Sequence, residues 1–126
     1  MKVLLAVAIG GAIGAIARFQ LSQSFIKSFS GDFIYNILVA NIVGCFLMGV
    51  CYEFMNLKMN VGVEWRAFFM VGVLGAFTTF SSFALDVFIL VERGSYFNAS
   101  MYILSSVVFS IVGLFVGIYI MRTIIT

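Results

Sequence analysis

The stretch Gly75-Ala76-Phe77-Thr78-Thr79-Phe80-Ser81-Ser82-Phe83 sets four hydroxyls and three phenyl rings inside an apolar segment of membrane length. A polar group without a partner in hydrocarbon costs several kcal/mol, so clustered hydroxyls turn toward other helices or a water-filled path rather than lipid. The segment therefore reads as a membrane helix with an inward polar face.

The rest of the chain has the same character. Hydrophobic residues make up 63% of the 126 positions and charged residues 10%, against roughly 45–50% and 25% in soluble domains. Four runs, about 3–25, 33–55, 67–90 and 97–120, approach the ~20 residues that a ~30 Å hydrocarbon core requires. Strand-like alternation is weak, which argues against a β-barrel. The expectation is an all-α integral membrane protein: one domain, residues 1–126, of four transmembrane helices with a break in the third. Lys2 before an apolar run resembles a signal peptide, but the length of the run, Arg18 within it and the three spans behind it predict a retained helix.

Charge narrows the partners. The net charge is +2 and the basic residues are scattered, so no nucleic-acid surface is expected. Lys2, Lys58, Arg66 and Arg122 fall on one side of a four-span topology, and Arg18, Lys27 and Arg93 on the other. Orientation follows the excess of Lys and Arg on the cytoplasmic side, and here there is almost none, so insertion in both directions is expected. Four short helices packed 8–10 Å apart leave no lumen. An antiparallel, dual-topology homodimer about an axis in the membrane plane answers both points.

Several polar groups lie at membrane depth. Gly10 and Gly14 stand at a spacing that lets helices approach closely, with Gly11 and Ala15 one step round. Arg18 either snorkels to the interface, anchors the fold, or attracts anions in a vestibule. Asn41, alone near the middle of the second span, either glues helices or offers a donor to an anion. Gly72, Gly75 and the hydroxyl run weaken the third helix. A break near Gly75 to Thr79 would free carbonyls able to hold a small alkali cation.

Phe80 and Phe83, at i and i+3, share a helix face. The edge of a phenyl ring is positive and can favour an anion without binding it too tightly to leave; plain packing is the alternative. Tyr102, Ser106 and Ser110 repeat at i, i+4, i+8 as a hydroxyl stripe. Together with Ser81 and Ser82 they either line a path or, for the stripe, bond back to i−4 carbonyls. Asp32, Glu53, Glu64, Asp86 and Glu92 lie at or near segment ends, and the first span holds no acid. There is no histidine to bind metal or shuttle protons. Cys45 and Cys51, six apart on one helix, project from different faces and read as small apolar fillers rather than a disulfide.

Three motifs resemble the Fluc, or CrcB, family of fluoride channels: Gly11-x-x-Gly14-Ala15-x-x-Arg18-Phe19, Asn41-x-x-Gly44-Cys45-Phe46, and Gly72-x-x-Gly75 followed by the opening stretch. The resemblance implies a channel rather than an enzyme, in the plasma membrane of a prokaryote (the inner membrane of a Gram-negative one). It implies two narrow fluoride pores per antiparallel homodimer, passive export of cytoplasmic fluoride, and resistance to it. By motif position, Phe80 and Phe83 correspond to ring-edge fluoride contacts, Asn41 to a pore amide donor, and Ser106 and Ser110 to a polar track. Arg18 corresponds to a vestibule arginine, and the carbonyls of Gly75 and Thr78 to ligands of a central structural sodium ion. The chain departs from the family before Asn41: Ile34-Tyr35-Asn36-Ile37-Leu38 replaces Pro-x-Gly-Thr-Leu, which removes a vestibule hydroxyl at Ile37. Asp86 stands where glutamate is common.

The rival is a small multidrug transporter, an antiparallel four-helix dimer exchanging protons for cationic drugs. It needs a membrane-embedded carboxylate, and the first span has none.

Overall fold

The structure is a computed structural model of the whole chain, and it describes residues 1–28, 34–58 and 60–126. The positions of Asp32 and Phe33, and the side chain of Ile34, lie outside the described residues. Helix α1 (Lys2–Ser28) and helix α2 (Ile34–Leu57) are uninterrupted. The third span is composite: α3 (Val63–Arg66), a π-helical stretch (Ala67–Leu74), α4 (Gly75–Phe77) and, after two extended residues, α5 (Phe80–Glu92). Helix α6 (Tyr96–Ile125) completes the chain, and no strand occurs among the described residues.

Four helical segments, Lys2–Ser28, Tyr35–Leu57, Val63–Glu92 and Tyr96–Ile125, are long and apolar enough to cross a membrane. Each continues at its C-terminal end past the apolar run expected from the sequence, because helical turns extend into the residues there. Only 11% of the most apolar window in α1, and likewise in α6, is buried inside the chain. Hydrocarbon or another protein surface must cover the rest, and this is a multi-pass membrane protein.

The helices pair in two layers. Helix α2 runs along α6, while α1 runs along the π-helical stretch and α4. The second pairing depends on the small-residue face of α1: a Cβ added at Gly14 would collide with the backbone carbonyl of Val73, and one at Gly10 would lie 2.5 Å from the carbonyl oxygen of Phe68. Backbone-to-backbone contact of this kind is how membrane helices gain dispersion energy where lipid offers no hydrophobic drive. Gly11, one step round, meets nothing within 4 Å.

Polar contacts fasten the ends. Arg122 of α6 donates from Nε to Glu53 Oε1 of α2 at 2.7 Å. Arg66 donates from Nη2 to the Met55 carbonyl at 2.9 Å, placing a cation on an orphan carbonyl in the last turn of α2. The turn from α5 to α6 is closed by Gly94 at φ 74°. Its N–H donates to the Val91 carbonyl at 2.9 Å, and the Ser95 N–H to the Leu90 carbonyl at 2.9 Å; this is a Schellman motif, for which glycine carries no Cβ penalty. Next to this turn Ile37, Phe83, Leu90, Ala99 and Tyr102 form a small buried cluster.

Candidate functional site

The polar stretch lies where α4 ends and α5 begins. Thr78 (φ −82°, ψ 154°) and Thr79 (φ −152°, ψ 123°) are both extended. Ordinary β-region dihedrals cost no strain, but they take backbone groups out of the helical ladder. Asn41 of α2 satisfies Thr79 on both sides: its Nδ2 donates to the Thr79 carbonyl at 3.0 Å, and the Thr79 N–H donates to its Oδ1 at 2.8 Å. Thr79 then caps α5, its Oγ1 accepting from the Ser82 N–H at 3.2 Å. Asparagine and threonine are residue types suited to this work, since each offers a short side-chain oxygen to exposed backbone donors.

In a continuous helix the Thr79 N–H would reach the Gly75 carbonyl four residues back. Asn41 takes that N–H, so the Gly75 carbonyl loses its usual donor. The Thr78 carbonyl meets Arg18 Nη1 at 3.5 Å. Arg18 is therefore half-buried against the α4–α5 junction rather than stretched along the interface. Two backbone oxygens outside the ladder suit a hard monovalent cation, so the chemistry of Gly75 and Thr78 fits the sodium expected from the resemblance.

Beside the junction is a cavity of about 250 Å³ lined by residues of α2, α5 and α6. Five residues expected along the fluoride path meet there, Asn41, Phe80, Phe83, Ser106 and Ser110, together with Thr78. The two rings lie 5.4 Å apart between centroids. They differ in setting: Phe83 is 7% exposed, packed 5.3 Å from the Tyr102 ring, whereas Phe80 is 77% exposed.

Two serines of α6, Ser106 and Ser110, do not bond back to the helix. Ser100 and Thr123 donate to the carbonyls four residues behind them, at 2.9 Å each, but the buried hydroxyls of Ser106 and Ser110 have no hydrogen-bond partner. Of the two readings open for the stripe, back-bonding does not hold at these two positions. An unpaired buried hydroxyl costs roughly 1–3 kcal/mol, so a native pair of them facing a cavity points to a polar guest.

The other hydroxyls go elsewhere. Ser81 is exposed, with its Oγ 3.3 Å from Thr79 Oγ1. Ser82 Oγ accepts from Thr79 Oγ1 at 3.2 Å and faces a separate cavity of about 360 Å³ that also holds Asn36 and Asp86. Tyr102 donates to Asp86 Oδ2 at 2.9 Å and lines a third cavity, of about 350 Å³, with Arg93 and Asn98. The stripe predicted along α6 is thus divided: Ser106 and Ser110 face one cavity and Tyr102 another, because the Asp86 carboxylate on α5 claims the phenol. Of the departures near the start of α2, Asn36 and Ile37 are buried. Asn36 Oδ1 accepts from the Ile37 N–H at 2.6 Å, and Ile37 joins the cluster around Phe83 and Tyr102.

One polar lining residue escaped the sequence reading. Cys45, expected to be a filler, is on the wall of the 250 Å³ cavity. Its position one helical turn beyond Asn41 carried the signal, since residues at i and i+4 share a face.

The sequence pattern of the family described as CrcB-like protein, Camphor Resistance (CrcB), matches residues 5–118. A protein named fluoride-specific ion channel FluC from Rhizobium etli is 41% identical over 121 residues, covering 96% of this chain and 97% of its own. One of the same name from Rhodospirillum centenum is 43% identical over 123 residues, 98% of each chain, and another from Parabacteroides distasonis is 40% identical over 126 residues, 100% of this chain and 97% of its own. With a family match across nearly all of its length and such relatives in distant bacteria, this chain belongs to the CrcB-like family.

Proposed function

We propose that this protein is a fluoride-specific ion channel, and that fluoride passes through the cavity between α2, α5 and α6. The observation that carries the reading is the meeting of Asn41, Phe80, Phe83, Ser106 and Ser110 around one space, in a chain whose relatives are named fluoride-specific ion channels. Fluoride is small and strongly hydrated, so a path must return the lost hydrogen bonds without a fixed cation that would hold the ion too long. The unpaired hydroxyls of Ser106 and Ser110 supply donors. The remaining N–H of Asn41 Nδ2, beyond the one given to Thr79, is a third. The positive edges of Phe80 and Phe83 complete a neutral but electropositive wall.

The proposal extends to the assembly. Two copies pair antiparallel in the membrane, giving two pores, and the exposed ring of Phe80 then faces a partner rather than lipid. The carbonyls of Gly75 and Thr78 would hold a sodium ion, which would supply positive charge at the junction. Arg18, whose Nη1 is 3.5 Å from the Thr78 oxygen, places a second positive charge beside it. The plasma membrane is the proposed location, where passive exit of cytoplasmic fluoride protects the cell.

A proton-coupled drug exporter is not supported. The first span carries no carboxylate, and the cavity between α2, α5 and α6 is lined by neutral side chains.

Reconstitution tests the function. Liposomes containing the pure protein and loaded with fluoride or chloride are given a potassium ionophore for charge balance, and anion release is followed with ion-selective electrodes. Rapid fluoride loss with chloride retained is expected, and fluoride retained as in protein-free liposomes rejects the reading.

A further inference from the structure

We propose that Cys45 is a lining residue of the anion path, and that its thiol is a soft-metal site at which Ag⁺ stops fluoride flow. The inference rests on the channel reading above and adds a residue and a ligand class to it.

Cys45 follows Asn41 by one turn on α2, and both border the 250 Å³ cavity. Across that space α6 presents Ser106 and Ser110, also one turn apart. Both hydroxyls are buried without a partner, and Ser106 is 5% exposed. The cavity thus has two facing ladders of polar atoms, Asn41–Cys45 on one helix and Ser106–Ser110 on the other. A thiol is a weak donor, so Cys45 continues the polar wall past the amide instead of merely filling space. Cys51 is six residues further along α2, on another face, and does not border the cavity. The chain therefore carries its own control cysteine.

Thiolate sulfur is a soft ligand and prefers soft cations. Ag⁺ displaces the thiol proton to give a sulfur–silver bond and a released H⁺, with no change of oxidation state. A silver ion fixed on Cys45 narrows the space beside Phe80 and Phe83 and removes the thiol donor from the wall.

The test uses the full-length protein in fluoride-loaded liposomes, in nitrate buffers free of chloride. Fluoride efflux is recorded with and without added silver nitrate, and protein-bound silver is measured after washing. In wild type and in Cys51→Ala, silver is expected to reduce efflux to the rate of protein-free liposomes, with recovery on adding a small dithiol. In Cys45→Ala, the ratio of efflux with and without silver is expected to be one, and the retained silver to fall below that of wild type, Cys51 remaining as a second thiol. Efflux that persists under silver in wild type, or a block that survives in Cys45→Ala, overturns the proposal while leaving the channel reading intact. Absence of fluoride efflux before any silver is added overturns the channel reading and the path with it.

Discussion

Asn41 holds both backbone polar groups of Thr79, donating to its carbonyl at 3.0 Å and accepting from its N–H at 2.8 Å. One side chain on α2 thereby does what a neighbouring strand would do for an extended residue, and it allows α4 and α5 to be separate helices at membrane depth. The same amide borders the cavity, so the element that stabilises the junction also faces the proposed path.

Replacing Asn41 by Ala should leave both Thr79 groups unpaired at a cost of roughly 2–4 kcal/mol. Thermal unfolding in detergent should show the loss, and fluoride efflux should fall with it. Asn41→Asp keeps the acceptor but loses the donor and adds negative charge, so efflux should fall further than stability does. Equal effects of the two changes on efflux would argue that only the junction, and not the amide donor, matters for flow.

The rings should separate by burial. Phe80→Ile and Phe83→Ile both remove a ring edge, and each should slow fluoride by at least roughly tenfold, the equivalent of ~1.4 kcal/mol. Phe83 is buried against Tyr102 while Phe80 is exposed in the single chain, so only Phe83→Ile should lower the melting temperature of detergent-solubilised monomer. Undiminished flux in both variants would reduce the rings to packing.

Ser106→Ala and Ser110→Ala should give an unusual pair of outcomes. Removing a buried hydroxyl that has no partner should leave stability unchanged or raise it by about 1 kcal/mol. Fluoride efflux should nevertheless drop, because the path loses a donor. Unfolding curves and efflux traces on the same preparations check both halves.

Gly14→Ala should be among the most damaging single-methyl changes. The new Cβ would meet the Val73 carbonyl, which is backbone and cannot rotate away, so α1 and the π-helical stretch must part at a cost of roughly 1–3 kcal/mol. Gly11→Ala adds its methyl to open space in the single chain and should leave the melting temperature of detergent-solubilised monomer unchanged.

Much of this molecule could be read before its structure was known. Four apolar runs of spanning length admit few folds in lipid, because backbone groups there must be paired within the segment. The small-residue face of α1 and the hydroxyl run after Gly75 were visible as patterns of residue type. Asn41 was the only polar group near the middle of its span, which marked it, but its two roles stayed open because the sequence does not say what stands opposite. The role of Asp86 is hidden in the sequence for the same reason: its partner, Tyr102, is 16 residues away on another helix.

The sequence by itself determined the helical class, the number of spans and the polar residues that had to face inward, since all of these follow from local chemistry and the cost of burying unpaired groups in hydrocarbon. Only the tertiary structure decided how the polar residues are shared out. It joined Asn41 to Thr79 across 38 positions. It sent Tyr102 to Asp86 while leaving Ser106 and Ser110 unpaired, and it brought Cys45 into their cavity. Helical periodicity states which residues of one helix share a face. Which faces meet is set by close packing between helices, and that depends on contacts far apart in the chain.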